Sequence, residues 1–185
     1  MLQVRRSTNP LDAQAISTRR LDLLPLRVGH AEEMATVLSD PALHTFVGGM
    51  PDTPHTLRSR YQRITAGSPD PAVSWLNWVI RLRAESCLTG TVQATVGPSG
   101  PGAVAEIAWV VGSPWQGRGI ATEAAQGLVG WLDRQPVHTV IAHIHPEHRA
   151  SAAVATVAGL TPTDEWREGE IRWHRNTRRS RQDNP

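Results

Sequence analysis

The stretch most able to do chemistry is the turn Gln116-Gly117-Arg118-Gly119, which follows an apolar run at 107–111 and opens a helical pattern at Ile120. The first turn of a helix carries unpaired backbone N–H groups and the positive end of the helix dipole. Gly117 and Gly119 remove the side chains that would keep a phosphate away from those groups. The turn is therefore either an anion site suited to a pyrophosphate or an ordinary glycine-rich strand-to-helix connection. Two familiar phosphate motifs do not fit. A dinucleotide fingerprint needs a third glycine where Thr122 stands, and a P-loop needs Gly-Lys-Ser/Thr in a chain that has no lysine at all.

Other groups offer weaker chemistry. His143, His145 and His148 form His-x-His-x-x-His, and alternation on a strand would put the first two on one face, so a metal site is geometrically open. The favoured reading has no metal, with these histidines on a strand surface or against a bound cofactor. Cys87 is the single cysteine, so no intrachain disulfide forms, and nothing nearby in the sequence would activate the thiol. The basic residues are 19 arginines, and nine of them fall in residues 1–20 and 171–185, where acids are few. Residues 21–170 hold ten arginines against fifteen acids, and this acidic middle favours a cationic small molecule over nucleic acid. The five arginines between 172 and 181 leave one contrary reading, an RNA- or ribosome-binding module with Trp173 for stacking. No apolar run is long enough to span a membrane and no apolar leader follows Arg5 and Arg6, so the expected location is the cytoplasm.

These groups need a scaffold, and the pattern supplies one domain. Residues 1–18 read as a flexible arm, 19–175 as the domain and 176–185 as a basic flexible tail. A strand is expected at 21–26 and a helix at 30–38, which Asp40-Pro41 stops. Thr53 caps a second helix with Pro54 at its first position, running to about residue 65. Strands at 73–83, 88–96 and 103–111 form an antiparallel meander, with Leu76, Trp78, Ile80 and Leu82 on one face of the first. A helix follows at 120–134, a strand at 137–144, and a helix at 149–158 that Gly159 terminates. Weaker strands at 160–164 and 171–174 complete the set. The fold class is α+β, a central mixed, mostly antiparallel sheet flanked by helices.

In this order of elements, Gln116-Gly117-Arg118-Gly119-Ile120-Ala121 resembles the Gln/Arg-x-x-Gly-x-Gly/Ala signature of the GNAT superfamily of N-acetyltransferases. The resemblance extends over about residues 18–175. Glu106-Ile107-Ala108-Trp109-Val110-Val111 resembles the branch containing ribosomal-protein N-terminal acetyltransferases, as do Thr18-Arg19-Arg20-Leu21-Asp22-Leu23, the Gly-x-Val-x-Ala of 90–94, and His145-Pro146-Glu147-His148-Arg149-Ala150-Ser151. One departure stands out: the family has asparagine where this chain has His148.

The resemblance implies direct acetyl transfer from acetyl-CoA to an amine in a ternary complex, on a sheet splayed at the cofactor strand. It places Trp109, Val110 and Val111 beside the pantetheine arm. Gln116, Gly117, Arg118, Gly119, Ile120, Ala121 and Thr122 fall at the pyrophosphate, and His148 and Ser151 near the thiol. Glu106 is the candidate general base, its alternative being a structural ion pair. A backbone N–H near Val110 or Val111 is the oxyanion donor. Relatives use a tyrosine as acid, but the one tyrosine, Tyr61, is far upstream. Ser151 takes that role here, its alternative being a helix-capping hydroxyl. Trp109, Trp115 and Trp131 are expected near the cofactor turn or in the core, and Trp75, Trp78 and Trp166 are freer. Asp70, Trp75, Glu165 and Glu168 are expected to line the acceptor pocket. That pocket would suit a small cationic amine of the aminoglycoside or polyamine type, as in antibiotic resistance by acetylation. The branch resemblance alone would suit a protein N-terminus. A homodimer is compatible with the sequence.

Overall fold

A computed structural model describes residues 10–46, 48–100 and 102–177. Its centre is one eight-stranded sheet in the order β1-β2-β3-β4-β5-β6-β8-β7. The strands are β1 (Ile16–Ser17), β2 (Leu21–Pro25), β3 (Ser74–Leu82), β4 (Cys87–Ser99), β5 (Gly102–Val111), β6 (Thr139–Ile144), β7 (Thr161–Arg167) and β8 (Glu170–Asn176). All neighbours are antiparallel except β5 and β6, so the expected mixed, mostly antiparallel sheet is present. The helices are α1 (Ala31–Val37), α2 (Pro54–Thr65), α3 (Ile120–Leu132) and α4 (Arg149–Val157).

Alternation along β3 shows how the sequence makes two layers. Leu76, Trp78, Ile80 and Leu82 are buried against α3 and α4, while Val79 turns to the other face and packs with Met34, Leu57 and Tyr61 of α1 and α2. Trp78, read from the sequence as one of the freer tryptophans, is fully buried. Its ring meets Trp131 of α3 edge-on at 5.4 Å, and its indole N–H donates to Gln14 C=O, which satisfies its one polar atom. Gly127 sits mid-helix in α3, normally unfavourable by about 1 kcal/mol against alanine. A Cβ there would lie 2.7 Å from Thr18 Cγ2, so this glycine lets α3 close on the first strand pair.

Two sequence expectations are corrected at the ends. Residues 10–17 are not a loose arm: Leu11 N–H donates to the buried Ser74 hydroxyl, Ile16 enters the core, and Ile16–Ser17 pairs with β2. At the other end Asn176 still belongs to β8 and Thr177 is buried. The rest of both expected flexible segments, residues 1–9 and 178–185, lies outside the described residues. β7 is an edge strand with Pro162 in it and a register shift between Pro162 and Trp166, an arrangement that blunts further strand pairing.

Candidate functional site

The site begins with a pairing that stops early. β5 and β6 run parallel but pair only at Val104↔Thr139, Ala105↔Val140 and Glu106↔Ile141. β6 continues to Ile144 on the arm of β8, and β5 continues to Val111 on the arm of β4. The C-terminal halves therefore diverge into a notch with Glu106 at its apex. Gly112 N–H donates to Thr89 C=O and His138 N–H donates to Ala103 C=O. The alternation these two bonds fix turns the backbone groups of Ile107, Trp109 and Val111 toward the notch and those of Val110 toward β4. Of the two backbone N–H groups expected as oxyanion donor, that of Val111 faces the notch and that of Val110 faces β4. Gln116 Nε2 donates to Val111 C=O at 3.0 Å and ties the next loop to the end of the strand.

Beyond Val111, a short 3-10 turn at Ser113–Trp115 leads into the glycine turn. Gly117 and Gly119 both have left-handed backbones (φ 72° and 73°), which glycine adopts without the penalty other residues face. Ile120 is buried and anchors α3, so only its backbone faces outward, beside Ala121 and Thr122. The Arg118 side chain pairs with Glu85, which also accepts from the Trp115 indole. Sequence reasoning missed the group that braces this turn. Glu123, in the first turn of α3, accepts from Thr18 Oγ1, Arg20 N–H and Arg20 Nε, and Arg20 Nη1 donates to Arg118 C=O. Burial alone would raise the Glu123 carboxyl, but those hydrogen bonds hold it below its ordinary range. No motif spacing across some hundred residues could have revealed the contact.

A strap crosses the mouth of the notch. It is the connection from α1 to α2, and it is fixed on both lips. On the β5 side, Ser113 Oγ donates to Asp40, whose carboxyl is held low first by that bond and then by the Ala42 N–H. On the β6 side, Phe46 stacks on His148 at 4.3 Å and 24° and lies 5.3 Å from His145. His148 is the N-cap of α4, and its Nδ1 accepts from Ser151 N–H at 3.4 Å. Nδ1 must therefore be unprotonated, which leaves Nε2 as the N–H donor turned away from the helix. Burial, then the neighbouring His145, pushes the His148 pKa below its ordinary value, in keeping with the neutral ring. Ser151 stands in the first turn of α4, where its backbone rather than its hydroxyl makes the cap.

The third part is the open face of the sheet, on the side of α1 and α2. Glu106 Oε1 accepts from His143 Nδ1 at 2.8 Å, and its other oxygen lies 3.5 Å from Arg167. With His143 turned to Glu106, and His145 beyond the end of β6 beside Phe46, the three histidines do not converge. Among the described residues no group of ligating side chains could hold a metal ion. The expected acceptor residues do not converge either. Glu165 pairs with Arg172 at 2.7 Å, and Glu168 forms the exposed tip of the β7–β8 hairpin with a positive φ. Asp70 and Trp75 line a cleft of about 460 Å³ at the far side of the same face, together with Asp12 and Asn77. Trp75 and Glu106 both register with Thr95 of β4, so they sit two strand spacings, or about 10 Å, apart. The basic run near the end of the chain is also divided. Arg172 and Arg175 form ion pairs with Glu165 and Asp133, and Trp173 packs against the core.

Against known families, residues 20–161 match the model described as an acetyltransferase (GNAT) domain. The chain belongs to the GNAT acetyltransferase family. It is an N-acetyltransferase with acetyl-CoA as donor. At the level of sequence, no curated protein is a match. Solved structures share the fold. An acetyltransferase from Agrobacterium tumefaciens superposes with a TM-score of 0.66 at 25% identity, covering 92% of this chain and 98% of that one. RimL, a ribosomal L7/L12 alpha-N-protein acetyltransferase in complex with coenzyme A, gives 0.69 at 17%, covering 88% and 98%. The microcin C7 self-immunity acetyltransferase MccE, in complex with acetyl-CoA and AMP, gives 0.68 at 16%, covering 86% and 93%. The donor fits the site on its own terms. The notch offers unpaired strand edges for an extended amide-bearing arm, and the left-handed glycines bare the N-terminus of α3 to a pyrophosphate. No helix of the described residues is long and apolar enough to cross a membrane.

Proposed function

We propose that this acetyltransferase acts on a small cationic primary amine bound on the open face, with Glu106 as general base. The observation that carries the reading is the position of Glu106. It is the last residue of β5 paired to β6, so its carboxylate stands at the apex of the notch where donor and acceptor meet. His143 Nδ1–H holds that carboxylate in place at 2.8 Å. Glu106 takes the amine proton through bridging water on the open face, because the Val111 N–H stands about 16 Å further along the strand; nitrogen bonds to the carbonyl carbon and the carbon–sulfur bond breaks. Val111 N–H faces the negative charge that grows on the carbonyl oxygen. The Ser151 hydroxyl returns a proton to the sulfur. Arg20, Gly117 and Gly119 keep the phosphate turn open at the other end.

The cleft beside Trp75 supports the cationic acceptor. The Trp75 indole stands about 10 Å from the base, and the Asp12 and Asp70 carboxylates line the same cleft, an arrangement suited to a diamine or aminosugar carrying a second positive charge. Glu165 and Glu168 have no part in it. The second reading, acetylation of a protein N-terminus, draws on the likeness to RimL and on the openness of the face. Thiol release from acetyl-CoA, assayed with diamines, aminosugars and short peptides with free N-termini, separates the two. Diamine- or aminosugar-dependent release is expected; release with peptides alone removes the small-amine reading.

A further inference from the structure

Between α1, α2 and the strap lies a cavity of about 80 Å³, apolar where Ala35, Leu38, Leu43, Leu57 and Val110 line it and polar where His44 stands and where Asp52 meets Arg60. Its floor is the Val110 side chain. Val110, Ala108 and Glu106 alternate onto the same face of β5, so cavity and base are separated by four residues, about 13 Å of strand. Ala108, between them, is exposed and leaves the strand bare. A carbonyl whose oxygen meets Val111 N–H puts its carbon beside the Val110 side chain, with the cavity next to it and the base further back along the strand.

The geometry points to this cavity as the acyl pocket of the transferase, sized for a short chain longer than acetyl. The inference rests on Glu106 marking the amine side of the reaction. With the amine approaching from that side, the substituent of the carbonyl has the Val110 side to occupy. On a scale of about 30 Å³ for a group the size of a water molecule, the cavity takes roughly three methyl or methylene groups, where acetyl supplies one. The chemistry is the same for each chain. The acyl carbon–nitrogen bond forms, the carbon–sulfur bond breaks, the amine proton goes to Glu106, and the sulfur receives a proton from Ser151, which solvent resupplies. Leu43 is half-buried on the strap, and Ala35 is buried on α1, so they are the adjustable and the fixed wall.

The experiment measures kcat/KM for acetyl-, propionyl-, butyryl- and hexanoyl-CoA with one fixed amine, and for a panel of amines with acetyl-CoA, in the full chain and in two variants. The unaltered enzyme is expected to use propionyl- and butyryl-CoA within about tenfold of acetyl-CoA and to reject hexanoyl-CoA. Leu43→Ala is expected to raise the hexanoyl-to-acetyl ratio at least tenfold, and Ala35→Val to lower the butyryl-to-acetyl ratio by a similar factor, the range one methylene commands in an apolar pocket. If Ala35→Val does not fold, Leu43→Ala carries the test alone. Acyl ratios that stay fixed in the folded variants overturn the proposal, and so do variants that change selectivity among amines instead. Absence of thiol release with every acyl donor and every amine would be a different failure, that of the transferase reading itself.

Discussion

Glu106→Gln is the most direct perturbation of the proposed chemistry, because glutamine keeps the shape and loses the ability to take a proton. Its amide oxygen can still accept from His143 Nδ1–H, the 2.8 Å hydrogen bond that fixes the side chain. The substitution breaks the ion pair with Arg167, which is 3.5 Å away and well exposed, and exposed pairs contribute about 0–1 kcal/mol. The fold should therefore survive with a melting temperature within a few degrees of the parent. The rate should not survive. A positioned base contributes about 10²–10⁴-fold, so kcat at neutral pH should fall by that factor, about 3–5 kcal/mol of barrier. The remaining activity must wait for solvent to deprotonate the amine. It should rise about tenfold per pH unit until the amine's own pKa, near 10 for an alkylamine, and approach the parent enzyme there. The assay is initial-rate thiol release from acetyl-CoA at saturating amine between pH 6.5 and 10. A kcat at pH 7 within about threefold of the parent, or a pH profile that keeps the parent's shape, would remove Glu106 from the base role.

Three further outcomes follow from the same geometry. Arg20→Met leaves the Glu123 carboxylate beside the phosphate turn without its guanidinium, so KM for acetyl-CoA and Kd for coenzyme A should rise about tenfold with kcat nearly unchanged. Adding Glu123→Gln should restore part of the affinity, measured by calorimetric titration. The Tyr61 hydroxyl is buried with no hydrogen-bond partner among the described residues, and burial pushes its pKa up to about 12. Tyr61→Phe should raise stability by about 1 kcal/mol and Tm by a few degrees without changing kcat; a collapse of kcat would return Tyr61 to the chemistry. Because the folded-state pKa of His148 lies below its ordinary 6.5, the unfolded chain binds the extra proton more readily. The stability His148 contributes is present above pH 6.5 and is lost as pH falls from there through the lowered folded value. His148→Asn should flatten that part of the Tm-against-pH curve.

Much of this arrangement is legible in the sequence because local chemistry dictates it. The αL glycines at 117 and 119, the Thr53-Pro54 start of α2 and the period-two alternation of β3 each follow from a few neighbouring residues. Long-range register is not legible in the same way. Glu106 and His143 sit on parallel strands 37 residues apart, and only the place where β5 and β6 part decides that they touch. The acidic acceptor wall fails for a related reason. Glu165 reads as a free carboxylate until β7 folds back on β8 and brings Arg172 to it. Trp78 reads as freer than it is because a tryptophan's indole N–H argues against burial unless a partner is known, and its partner is the backbone of the N-terminal segment.

Among the described residues Arg60, Arg167 and Arg172 border the open face, each a guanidinium in an ion pair. A guanidinium stays protonated across the whole working range and is a poor nucleophile toward a thioester. An enzyme that holds an activated acyl group beside its own surface is exposed to modifying itself. In this chain no side-chain amine exists to be modified, near the site or elsewhere. The positive charges that orient partners on the face are chemically inert to the reagent it handles, so the site can persist in excess donor, at high pH and over long incubation, without erasing its own charge pattern.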